Sequence, residues 1–61
     1  MPIVQIELLA GRTIEQKRKM ARKVTDAIVE SFDCPADAVR IILREMAEED
    51  FAVAGKLKSD A

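Results

Sequence analysis

Histidine, tryptophan and tyrosine are absent from the chain, and cysteine occurs once, at Cys34. Without histidine there is no ordinary Ser-His or Cys-His nucleophile system, and serine is confined to Ser31 and Ser59. One cysteine cannot close an internal disulfide, and with no histidine beside it no zinc or other metal site is expected. Cys34 has no charged partner that would make it a strong nucleophile, so it reads as a small loop or packing residue. The two glycines, Gly11 and Gly55, stand alone, which leaves no glycine-rich loop to cradle a phosphate. Aromatic side chains are limited to Phe32 and Phe51, too few for base stacking. Ten basic residues stand against 11 acidic ones without any long block of one sign, so nucleic-acid binding is not expected. No apolar run approaches the roughly 20 residues of a membrane span, and no leader precedes the first apolar segment. The expected address is cytoplasmic, with no membrane partner.

What the chain does have is aliphatic surface. Hydrophobic residues make up 49% of its 61 positions. A single domain spanning 1–61 is expected, yet a chain this short buries only roughly 60% of its unfolded surface. Small scaffolds need a staple, and with disulfides and metals set aside, association of subunits is the one that remains.

The opening residues Met1-Pro2-Ile3-Val4-Gln5-Ile6-Glu7-Leu8-Leu9 read as a strand from about Pro2 to Leu9. Val4, Ile6 and Leu8 form a continuous apolar face, and Ile3, Gln5, Glu7 and Leu9 a mixed one. Gly11 breaks the strand, and Thr13 with Gln16 three residues later spells a capping box. A helix is expected from Ile14 to Phe32, with Ile14, Ala21, Val24, Ala27, Ile28 and Phe32 as its apolar stripe. Lys17, Arg18, Arg22, Lys23, Asp26 and Glu30 are expected to lie mostly off that stripe, on a solvated face. Asp33-Cys34-Pro35 ends the helix, since the residue before proline avoids helical torsions. Asp37 marks a short turn, and Val39 to about Met46 reads as a second strand with Val39, Ile41 and Leu43 on one face.

Strand, helix and strand of these lengths predict a right-handed α/β unit, a single βαβ with parallel strands. Two exposed parallel strands leave bare edges, so pairing between chains into a four-stranded sheet is expected, within an assembly larger than a dimer. Arg40 and Arg44 beside Ile42 and Met46 on the uncovered face fit subunit contact. Ala52-Val53 and Lys56-Leu57 predict a short C-terminal hairpin, too small to stand without another surface.

Few residues carry chemistry. Pro2 is a strand starter, where its missing N–H costs nothing, or a base: removal of Met1 turns its nitrogen into a secondary amine. Glu7 is the carboxylate nearest an apolar context, and cross-strand pairing with Arg40 or Arg44 is the simpler account of it. Arg12 and Arg40 each stand at a strand end, and arginine grips a carboxylate with two parallel hydrogen bonds. Converging on a terminal amine with Phe51 screening water, they would make a small anion-binding pocket. Cations and low dielectric both lower an amine's pKa from about 8 toward the neutral range a general base needs.

The order and spacing of several segments resemble 4-oxalocrotonate tautomerase and its family over nearly the whole chain. They are Pro2 opening Ile3-Val4-Gln5-Ile6, then Leu8-Leu9-Ala10-Gly11-Arg12, Glu15-Gln16-Lys17, Val39-Arg40-Ile41-Ile42 and Glu45-Met46-Ala47, with Phe51 after them. The resemblance implies a homohexamer, a trimer of βαβ dimers, with sites shared among chains. It implies an isomerase of aromatic catabolism that moves a proton in a small anionic dienol or 2-oxo acid such as 2-hydroxymuconate, without metal or organic cofactor. Pro2 is then the general base. Arg40 holds the carboxylate and adjacent oxygen at one end of the substrate, and Arg12 binds the distal carboxylate. Phe51 keeps the pocket apolar, and the Leu9 N–H helps polarise the carbonyl oxygen. Leu9 stands where dehalogenase relatives need a further cation. Where the family carries a glycine-rich run after the phenylalanine, this chain has Ala52-Val53-Ala54-Gly55. Two other readings stay open: a non-catalytic oligomeric domain, and a decarboxylase or hydratase of small unsaturated acids using the same amine.

Overall fold

A computed structural model describes residues 1–60. Strand β1 (Ile3–Leu9) runs into helix α1 (Ile14–Phe32), which returns the chain to strand β2 (Arg40–Met46). The two strands pair in parallel, with Ile3 opposite Arg40, Glu7 opposite Arg44 and Leu9 opposite Met46. The turn after β1 places Gly11 at φ +129, a torsion that side chains with a Cβ rarely adopt. Thr13 then caps α1: its side chain accepts from the Gln16 N–H at 3.1 Å, and Gln16 Oε1 accepts from the Thr13 N–H at 3.0 Å. At the other end Asp33 turns left-handed at φ +54, and its N–H donates to the Val29 carbonyl. A 3-10 turn over Ala36–Ala38 leads into β2.

One face of the sheet carries the half-buried residues Val4, Ile6, Leu8, Ile41 and Leu43, as alternation requires. The helix turns Met20, Ala21, Val24 and Ile28 inward as half-buried residues. The expected stripe is corrected at three positions: Ile14, Ala27 and Phe32 are exposed. At the ends, length is the reason. A 19-residue helix spans about 28 Å and a seven-residue strand about 23 Å, so Ile14 and Phe32 overhang the sheet. Lys17 is a second correction, since it lies on the inward side. Its ammonium meets Glu45 Oε1 at 2.9 Å, tying α1 to β2, while its stem covers apolar surface. Such a partly exposed pair contributes up to about 1 kcal/mol.

The other face of the sheet has no cover within the chain. Ile3, Gln5, Glu7, Arg40, Ile42 and Arg44 are all exposed there. Glu7 and Arg44 share a register position, but no ion pair joins Glu7 to Arg44 or Arg40 among the described residues, whose ion pairs are Lys17–Glu45 and Arg18–Glu15. The cross-strand pairing expected for Glu7 is therefore not made within the chain.

After a 3-10 turn at Glu48–Asp50, the strands β3 (Ala52–Val53) and β4 (Lys56–Leu57) form an antiparallel hairpin, with Val53 opposite Lys56. Its two turn residues, Ala54 and Gly55, have φ of +54 and +81, the positive pair that a type I′ turn demands. The Lys58 N–H closes the tail on the Phe51 carbonyl at 2.8 Å.

No side chain among the described residues is fully buried. The Cα radius of gyration is 14.7 Å, against about 10.5 Å for a compact chain of this length. The accessible surface is 4877 Å², where a compact monomer of 6.8 kDa exposes about 4,000 Å². One layer of helix on a two-stranded sheet is half of a core, and the fold awaits the other half.

Candidate active site

Parallel pairing decides where the candidate residues stand. It puts the N-terminal ends of both strands at one end of the molecule and their C-terminal ends at the other. Pro2 heads β1, half-buried, and its carbonyl accepts the Arg40 N–H at 2.9 Å. Pro2 and Arg40 are thus neighbours, locked by the first rung of the ladder. The Arg40 guanidinium turns back on its own approach, donating to the carbonyl of Asp37 and, at 3.5 Å, to that of Val39. Met1 precedes Pro2 and is 78% exposed. With Met1 attached the Pro2 nitrogen is an amide. Without it, the nitrogen is a secondary amine held by the ladder.

Leu9, Arg12 and Phe51 gather at the opposite end. Arg12 lines a shallow depression with Leu8, Leu9, Ala10 and Gly11, and also the groove between β1 and α1 beside Ile6, Gln16 and Met20. Leu9 and Phe51 face an adjoining concavity with Glu7, Leu8, Met46 and Asp50. The Ala10 N–H donates to the Met46 carbonyl at 2.9 Å, closing this end of the sheet.

Seven strand residues at about 3.3 Å each leave roughly 23 Å between the two ends. The expectation that Arg12, Arg40 and Phe51 converge on Pro2 is therefore not met within one chain. Each chain carries two half-sets: Pro2 with Arg40, and Leu9 with Arg12 and Phe51. A site containing all five has to draw them from different chains.

Reasoning from sequence put Met46 on the sheet face of Leu9 but missed Asp50 as a neighbour of Leu9 and Phe51. A signal was available, since Glu7 and Leu9 share a strand face and an acidic run leads into Phe51. Cys34 is a half-buried free thiol in the loop after α1, six residues before Arg40 and far along the chain from Leu9, Arg12 and Phe51. No group of three or more histidine, cysteine, aspartate or glutamate residues stands in a metal-holding arrangement among the described residues. No helix among them is long and apolar enough to cross a membrane.

Comparison with known proteins gives the fold a lineage. The family described as "Tautomerase enzyme" matches residues 2–61. A 2-hydroxymuconate tautomerase of Pseudomonas putida is 48% identical over 59 residues, covering 97% of this chain and 94% of that one. Among solved structures, a 4-oxalocrotonate tautomerase isozyme of Methylibium petroleiphilum superposes with a TM-score of 0.92 at 44% identity, covering 97% of this chain and 92% of that one. A heterohexameric 4-oxalocrotonate tautomerase of Chloroflexus aurantiacus superposes with a TM-score of 0.91 at 33% identity, covering 98% of this chain and 97% of that one. The parallel βαβ unit with its short hairpin is the fold of these enzymes, and the chain belongs to the tautomerase family, as a 4-oxalocrotonate-tautomerase-like isomerase.

Proposed function

We propose that this chain is a cofactor-independent tautomerase of 2-hydroxydienoates and 2-oxo-enoates, such as 2-hydroxymuconate, with Pro2 as its general base. It works as one cytoplasmic domain in a homohexamer, a trimer of dimers in which β-sheets join edge to edge. The observation that carries the reading is the anchoring of Pro2: the 2.9 Å bond from the Arg40 N–H fixes the proline beside an arginine at the head of the strand. The heterohexameric form of the Chloroflexus relative and the uncovered, partly apolar face of the sheet support the assembly.

Loss of Met1 exposes the Pro2 nitrogen as a secondary amine. Its lone pair takes the proton from the 2-hydroxyl of the dienol, and the electron pair of the broken O–H bond flows into the conjugated chain. The ammonium then returns the same proton to the far carbon, so the reaction is a net isomerisation. Arg40 holds the carboxylate and oxygen nearest the base, and Arg12 of another chain binds the distal carboxylate. Both are strongest when charge spreads along the dienolate, which is where stabilisation speeds the step. The Leu9 N–H, directly or through water, polarises the carbonyl oxygen. Phe51 excludes water, which helps hold the amine's pKa down.

Ultraviolet monitoring of 2-hydroxymuconate ketonisation tests the proposal, on protein shown by intact mass to lack Met1. Pro2→Ala is expected to lower kcat/KM by at least about 100-fold while sedimentation shows the assembly unchanged. Full activity in that variant would rule out the proline as base.

A further inference from the structure

The concavity at the C-terminal end of the sheet carries charge that the proposed reaction does not use. Its apolar wall is Leu8, Leu9, Met46 and Phe51, and its ionisable groups are Glu7 and Asp50, with no lysine or arginine among them. Neither carboxylate joins an ion pair among the described residues. Arg12, the nearby cation along the chain, lines the adjoining depression and the helix-side groove instead. Asp50 closes the 3-10 turn that precedes Phe51. Its N–H donates to the Ala47 carbonyl at 2.9 Å, and the same turn fixes Phe51, whose N–H donates to the Glu48 carbonyl at 3.4 Å. The turn thus sets Asp50 one residue from Phe51 along the wall of the concavity.

We infer that Asp50 is a specificity-determining residue that weakens the site's hold on a second negative charge, narrowing its preference for diacids over 2-hydroxy or 2-oxo acids with an uncharged far end. The inference rests on Leu9 and Phe51 lining the substrate pocket, as proposed above. A far-end carboxylate entering this concavity is attracted by Arg12 and repelled by Asp50, and like charges a few ångströms apart repel even beside solvent. An aryl or alkyl far end meets only the apolar wall. Repulsion between fixed charges acts on ground state and transition state alike, so it shows mainly in KM.

The test compares kcat/KM for 2-hydroxymuconate, which has two carboxylates, with that for phenylenolpyruvate, which has one. Asp50→Asn is expected to raise the diacid-to-monoacid ratio about three- to tenfold, through a lower KM for the diacid. Glu48→Gln removes an equal charge from the same turn but outside the concavity, and is expected to leave the ratio unchanged. A substitution that merely disturbs structure slows both substrates together. An unchanged ratio in Asp50→Asn, or an equal rise in Glu48→Gln, overturns the inference while leaving the proposed function standing. Wild-type protein inactive on both substrates overturns the proposed function and this inference with it.

Discussion

Two backbone nitrogens and one methyl group carry much of what is particular to this chain. The Pro2 nitrogen is chemically inert as an amide and basic as an amine, so a form that retains Met1 is expected to be inactive. Comparing ketonisation rates of fractions separated by mass checks this directly. The methyl group belongs to Ala54, which sits at φ +54 in the hairpin turn. A residue with a Cβ pays roughly 1–2 kcal/mol for left-handed torsions, whereas glycine does not. Gly55 beside it, at φ +81, has no atom within 4 Å of where a Cβ would stand, so its requirement is torsional and not one of space. Ala54→Gly is therefore expected to stabilise the folded assembly by about 1 kcal/mol per chain, less the extra freedom glycine gives the unfolded chain. Urea unfolding at fixed protein concentration measures it, and a destabilised variant would show that the turn is not strained. The second nitrogen is that of Arg40, whose bond to the Pro2 carbonyl at 2.9 Å holds the proposed base in place without using a side chain.

At the scale of elements, local chemistry was legible because it is local. The helix runs over Ile14–Phe32 as Thr13, Gln16 and Pro35 require, and the hairpin folds at Ala54-Gly55. Thr13→Ala removes the 3.1 Å bond from the Gln16 N–H and is expected to cost about 1 kcal/mol. Thermal unfolding monitored by circular dichroism checks that loss, and Thr13→Ser is expected to restore most of it. What sequence could not show depends on relations between elements. Ile14 and Phe32 keep helical spacing with the apolar stripe, but periodicity carries no information about where the sheet beneath them ends. Lys17 reads as a surface charge until β2 brings Glu45 to its inward side. The candidate residues were legible as types, two arginines, a proline and a phenylalanine. Their division into two half-sets was not, because it follows from parallel pairing along seven-residue strands. Glu7 shows the same limit. Its partner was sought across the strands, and the register supplies Arg44 opposite it, yet the two make no ion pair.

At the scale of the molecule, the chain extends over 44 × 23 × 13 Å without one fully buried side chain among the described residues, which fits a unit that folds and acts in association with others. Exposed Ile3, Ile42, Val53 and Leu57 lie on the sheet's open face and the hairpin, the surfaces a neighbour must cover to complete a core. Stability coupled to association depends on concentration. Catalysis coupled to it makes a sharper test, because the proposed site draws its half-sets from different chains. Pro2→Ala removes the proposed base but leaves Leu9, Arg12 and Phe51, whereas Arg12→Ala removes the proposed distal clamp but leaves Pro2 and Arg40. Each variant alone forms only defective sites. Unfolded together in equal amounts and refolded, they make mixed assemblies in which some sites take Pro2 from one chain and Arg12 from the other. If each site needs one chain for each half-set, random mixing makes about a quarter of the sites intact. The mixture is therefore expected to recover about a quarter of wild-type kcat, while each variant refolded alone recovers none beyond its own residual rate. No recovery in mixtures that sedimentation shows to be fully assembled would mean that both half-sets come from one chain, against the roughly 23 Å of strand between them.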